Sequence, residues 1–165
     1  MRTWALTTNE RAECGHTHLV EITADDLVST TAGASQTFTT DLLMAIGSFV
    51  ERATEILVTP FQNTNDAGHN TTGASLGDSV GGVATLMAAI EVNFNGTTVP
   101  NKTAVPSGTP ATGFTAPTYL TVTIGGMAAK QLNGINRGVV LFAIRAFNPR
   151  HLATTSPYGP PQTKP

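Results

Sequence analysis

The stretch Gly138-Val139-Val140-Leu141-Phe142-Ala143-Ile144-Arg145-Ala146-Phe147 decides how this chain folds. Its β-branched and aromatic side chains suit a pleated strand. From Val139 to Ile144 every position is apolar, odd and even alike, so both faces of such a strand must be covered. A strand of this kind belongs at the centre of a sheet. Outward from it, Tyr119 to Ile124, Leu19 to Thr23 and Ser35 to Thr39 alternate apolar and polar residues, the period of half-buried strands. Phe49 to Thr59 is a longer strand that Pro60, lacking an N–H, is expected to end.

Shorter elements fill the intervals. Ala74 to Asp78 is expected to be a strand leading to a Gly81-Gly82 turn, and Ala24 to Leu27 a turn. Glu91 to Phe94 alternates before an Asn95-Gly96 hairpin turn. Ala84 to Ile90 suits one helical turn or a buried strand. Asp41 is placed to cap a short helix from Leu42 to Ile46, stopped by Gly47, the alternative being a loop that tucks Leu43 and Ile46 under a sheet. Asn63 to Gly73 is a polar surface loop, and Pro100 to Pro117 a long excursion.

Seven or eight short strands with little helix predict an all-β fold, an antiparallel β-sandwich or jelly roll. The expected organisation is an extended N-terminal arm over residues 1–18, a sandwich domain over 19–150, and a Pro-rich, extended and mobile tail over 151–165.

Composition narrows the function. The 165 residues suit one domain, and only 12% of them are charged, against about 25% in ordinary soluble domains. Such a surface has little long-range repulsion to keep copies apart, which suits a subunit of an assembly. Thr is the commonest residue, with 16 Gly and 10 Pro to punctuate turns. A net charge of −2 with scattered Lys and Arg argues against nucleic acid as the partner. No stretch approaches a membrane span, and the first residues lack the apolar core of a signal peptide, so a cytosol-like site of synthesis is expected. Cys14 is the sole cysteine, which excludes an internal disulfide.

Two motifs invite a chemical reading. Gly77-Asp78-Ser79-Val80-Gly81-Gly82 is like the Gly-Asp-Ser-Gly-Gly of serine proteases with one residue inserted. A nucleophilic Ser79 needs a base and oxyanion donors. None of His16, His18, His69 and His151 sits in a partner motif, and Val80 displaces the backbone amides, so a strand-to-turn bend is the preferred reading. Cys14-Gly15-His16-Thr17-His18 offers three zinc-type ligands and needs a fourth from His69 or His151. Asp25-Asp26 and Asn65-Asp66 follow no calcium-loop spacing. Solvated residues are the expected outcome for both sets, and no cofactor, metal or catalytic residue is assigned. Of the aromatics that might form a sugar-binding platform, Phe61, Phe114 and Tyr119 are expected in the core, whereas Trp4, on a polar arm, is expected to fold back on its own domain or to anchor in a neighbour.

A longer pattern carries a resemblance. Its pieces are Ile22-Thr23-Ala24-Asp25-Asp26-Leu27, Ala34-Ser35-Gln36-Thr37-Phe38, Thr59-Pro60-Phe61 and Ala74-Ser75-Leu76-Gly77-Asp78-Ser79. Leu86-Met87-Ala88, Glu91-Val92-Asn93, Thr121-Val122-Thr123 and Ile135-Asn136-Arg137-Gly138 follow. Spread over residues 19–150, this pattern resembles small virion proteins of tailed bacteriophages that decorate or cement the capsid. The resemblance implies a structural, non-enzymatic protein on the capsid surface, made in the host cytoplasm. It would bind the major capsid protein and bridge neighbouring subunits, as a homo-oligomer for which a trimer suits three-fold sites. A tail, neck or head-fibre component is the alternative, and a hydrolase centred on Ser79 the second alternative. Candidate protein-contact residues are Trp4 and Leu6 on the arm, Phe61, Phe114, and Tyr158 in the tail.

Overall fold

The computed structural model describes residues 1–69, 72–92, 101–104, 113–125 and 129–148. Among them are nine strands: β1 (Arg2–Ala5), β2 (His18–Thr23), β3 (Gln36–Met44), β4 (Phe49–Gln62), β5 (Gly73–Asp78), β6 (Gly82–Glu91), β7 (Asn101–Ala104), β8 (Thr118–Gly125) and β9 (Arg137–Phe147). One α-helix, α1 (Thr8–Cys14), stands between β1 and β2.

The strands form two antiparallel sheets packed as a β-sandwich. One has the order β2-β9-β4-β7, with β1 added as a fifth strand at its β2 edge, and the other has the order β3-β8-β5-β6. The pairing is nested: β2 with β9, β3 with β8, β4 with β7, β5 with β6. The pairs β9–β4 and β8–β5 join these strands into the two sheets.

Strand β9 is hydrogen-bonded to β2 along one edge and to β4 along the other, the central place expected of it. Val140, Phe142 and Ile144 point inward and are 0% exposed, as are Val20 and Ile22 of β2. Ala74, Leu76, Leu120, Val122 and Ile124 supply the opposing layer of the same core. Glu55 is a buried carboxylate in β4, 1% exposed and opposite Phe142 in register, with Lys102 of β7 as its other backbone neighbour.

Four expectations are corrected. The N-terminal segment is no extended arm: β1 pairs with β2, and Leu6 N–H donates to Thr17 C=O at 2.8 Å. Helix α1 between them has Thr7 as N-cap, with Thr7 and Glu10 capping one another. Residues Asp41 to Met44 belong to β3, not to a helix. Thr40, Leu42 and Met44 are buried while Asp41 and Leu43 are exposed, so the side-chain period is two; the register with β8 shifts between Thr39 and Leu43. Gly47, at φ 81°, makes the turn into β4.

Strand β4 runs past Pro60. Its register with β9 shifts between Thr59 and Gln62, so an irregularity takes the proline out of the ladder. The expected excursion from Pro100 to Pro117 contains β7, paired with Ala53–Ile56. The Asn95-Gly96 turn and the tail over 151–165 lie outside the described residues.

Candidate functional site

The outward face of the five-stranded sheet is built by register. Trp4 of β1 lies opposite Leu19, Leu19 opposite Ala143, and Ala143 opposite Thr54. The next row on the same face is Arg2, Glu21, Leu141 and Ile56. Side chains alternate along a strand, so this set points away from the core that Val20, Phe142 and Ile144 fill. An outward face normally carries polar residues. Here Leu19, Leu141 and Ile56 are half-buried apolar residues, and Trp4 stays 38% exposed.

Helix α1 crosses one end of this face. Its start is fixed by the Thr7–Glu10 capping box, in which Thr7 N–H donates to Glu10 Oε2 at 2.8 Å. Its end is fixed by Gly15, which takes the left-handed conformation at φ 69°. A Cβ at Gly15 would stand 3.1 Å from Nη2 of Arg52, which leaves little room for a larger residue. Between helix and sheet runs a groove of about 340 Å³. Leu19, Ile56, Leu141 and Ala143 form its floor, Leu6 and His16 its sides, and Glu10, Glu13 and Cys14 its rim.

Charge gathers beside the groove. His16 bonds through Nε2 to Thr54 Oγ1 at 3.2 Å. Burial pushes its pKa below the ordinary imidazole value, and the guanidinium groups of Arg52 and Arg145 add to the effect. Burial likewise lowers His18, with Arg11 adding to it. Arg145 is paired with Glu51 at 2.8 Å. The hydrogen bonds from Thr7 hold the Glu10 carboxyl below its usual range.

The residues singled out in the sequence separate. Trp4 sits on the outward face, whereas Leu6 is buried at 5% exposure as a wall of the groove. Phe61 and Phe114 are core residues, 0% and 9% exposed, so neither presents the contact surface expected of it. Phe61 is held inward because Gly138 leaves space for its ring; a Cβ at Gly138 would lie 2.5 Å from Phe61 Cγ. Tyr158 lies outside the described residues.

Ser79 stands in the β5–β6 turn, where its Oγ accepts from Tyr119 N–H at 3.2 Å. Asp78 accepts from Val80 N–H at 2.9 Å and Thr85 Oγ1 at 2.6 Å, and also from Gly81 N–H. These bonds tie the turn together. Cys14, His16 and His18 do not converge: Cys14 is exposed, His16 faces Thr54, and His18 bonds Thr17 Oγ1 at 2.8 Å. His69 is buried beside Gly134 and Asp66, and Asp66 is paired with Lys130. Among the described residues no three metal-ligating side chains come together.

Sequence reasoning missed Leu19, Ile56 and Leu141 as surface residues. The signal was present in the unbroken apolar run of β9, since a strand apolar on both faces needs a cover on both. What it lacked was the knowledge that, among the described residues, only one face receives a second sheet.

No family model, curated protein or solved structure matches the chain.

Proposed function

We propose that this protein is a virion structural subunit that binds the outside of a bacteriophage capsid and stabilises it by bridging neighbouring shell subunits. The observation that carries the reading is the apolar outward face that runs from Trp4 across Leu19 and Leu141 to Ile56. Contiguous apolar surface on an otherwise solvated sheet marks a protein–protein contact. Trp4 is an anchor of the kind that dominates such contacts, a large ring already exposed on an edge strand.

The nested strand pairing supports reading the sandwich as a jelly roll, an architecture that viral capsid proteins share with lectins and cupins. Architecture alone does not select among those uses. The contact face and the low charge favour an assembly subunit, and so does the likeness of the sequence pattern to phage decoration proteins. A subunit that binds only the mature shell shifts the equilibrium toward it by mass action. Each contact can be weak, because a trimer on a three-fold site engages several shell subunits at once.

The test is to mix the purified protein with expanded shells that lack it. The expected result is saturable co-sedimentation at hundreds of copies per particle and a raised shell melting temperature. A few dozen copies or fewer, located away from the head, would assign the chain to a tail, neck or head fibre instead. No binding to any part of the particle would overturn the reading.

A further inference from the structure

We propose that Arg52 and Arg145 form a carboxylate-binding site, and that in the shell contact this site takes an Asp or Glu side chain of the shell subunit. The identity of that partner rests on the function proposed above, whereas the site itself rests on the geometry of this chain. Arg52 of β4 and Arg145 of β9 are register partners, one row along from Thr54 and Ala143. Directly opposed residues of an antiparallel pair share a face with their Cβ atoms about 5 Å apart, and like charges placed so are unfavourable. The fold answers only half of this. Glu51, at the register shift between Val50 and Arg52, pairs with Arg145 at 2.8 Å. None of the ion pairs among the described residues includes Arg52, and its Nε is buried without a hydrogen-bond partner. A buried donor on a charged group is costly when no acceptor meets it. One anion set between the two guanidinium groups removes both costs.

The surroundings select the anion. A Cβ on Gly15 would stand 3.1 Å from Nη2 of Arg52, so the guanidinium lies against the end of α1 and is held there. A planar guanidinium in a fixed place offers parallel N–H donors that match the two oxygens of a carboxylate. Glu51 beside the pair, and Glu10 and Glu13 on the adjoining rim, repel a polyanion such as nucleic acid. They leave a place for a single carboxylate.

His16 serves as the reporter. Burial, and then the charges of Arg52 and Arg145, lower its pKa, so an anion between the guanidinium groups raises it. The experiment follows the His16 imidazole by NMR through a pH series on the isolated full chain, with sodium acetate as probe and sodium chloride at equal ionic strength as reference. Expected is a saturable upward shift of the His16 midpoint in acetate over chloride, lost in Arg52→Gln. Equal midpoints in the two salts overturn the site. The second arm is sedimentation with expanded shells. Arg52→Gln and Arg145→Gln are each expected to bind at least about five-fold more weakly than wild type and with a shallower salt dependence, at unchanged melting temperature of the free protein. Arg52→Lys, which keeps the charge and loses the planar fork, should not restore full binding. Wild-type shell binding by both Gln variants overturns the assignment of the partner. Wild-type protein that binds no shell overturns the capsid reading and leaves the acetate result standing.

Discussion

At Gly77 the absence of one carbon decides the β5–β6 hairpin. A Cβ there would lie 2.0 Å from the carbonyl oxygen of Gly82 and 2.6 Å from the carbonyl carbon of Val83, so the returning strand lies directly on this residue. Backbone atoms cannot give way as a flexible side chain does. Gly77→Ala is therefore expected to cost about 1–3 kcal/mol, as overpacking does. It should lower the melting midpoint by about 2–4 °C per kcal/mol in calorimetry, and an unchanged midpoint would refute the close approach. His16 and His18 give a second residue-scale expectation. Both have folded-state pKa values below the ordinary 6.5, so the unfolded chain binds protons more readily than the folded one. Stability should hold above about pH 6.5 and fall as pH drops through that value toward the lower folded pKa values. Denaturant titrations between pH 8 and 5 should show this slope in the wild type and a shallower one in the His16→Asn/His18→Asn double variant.

At the scale of elements, α1 shows how local signals and tertiary support divide the work. Thr7-Thr8-Asn9-Glu10 is a capping box in the sequence itself, and Gly15 is a helix stop, so the helix was legible there and was overlooked because its residues read as a polar arm. Seven residues are too few to hold a helix alone in water, and the connection between β1 and β2 keeps it in place. Thr7→Ala is expected to cost about 1 kcal/mol, and hydrogen exchange should place the loss in residues 8–15 rather than in the sheets. The helix expected from Leu42 to Ile46 errs in the opposite sense. A leucine pair after an aspartate imitates a helix start, while the period of two that marks the strand extends over only a few residues. Pro60 was misread because a strand that tolerates an irregularity can carry a proline through, and the sequence around it has no mark of the shift. Strands β2, β5, β8 and β9 were legible because their alternation or apolar density is intrinsic to a few consecutive residues.

For the whole molecule, the decisive feature is that one sheet keeps an apolar outward face. If that face binds a capsid, Trp4→Ala should weaken shell binding at least about ten-fold, equivalent to about 1.4 kcal/mol, while the melting temperature of the free protein stays within a degree or two. Equal binding by wild type and variant in a sedimentation assay would remove Trp4 from the contact. The all-β class, the exclusion of an internal disulfide and the central place of Val139 to Ile144 were determined by the sequence alone, because each depends on residue type and short-range period. Only the tertiary structure decided that residues 2–14 join the fold, and that Trp4, Leu19, Leu141 and Ile56 share one outward face. Those residues come from four strands, β1, β2, β4 and β9, spread from Arg2 to Phe147. Their meeting depends on which strands pair and in what register, and no local pattern carries that information.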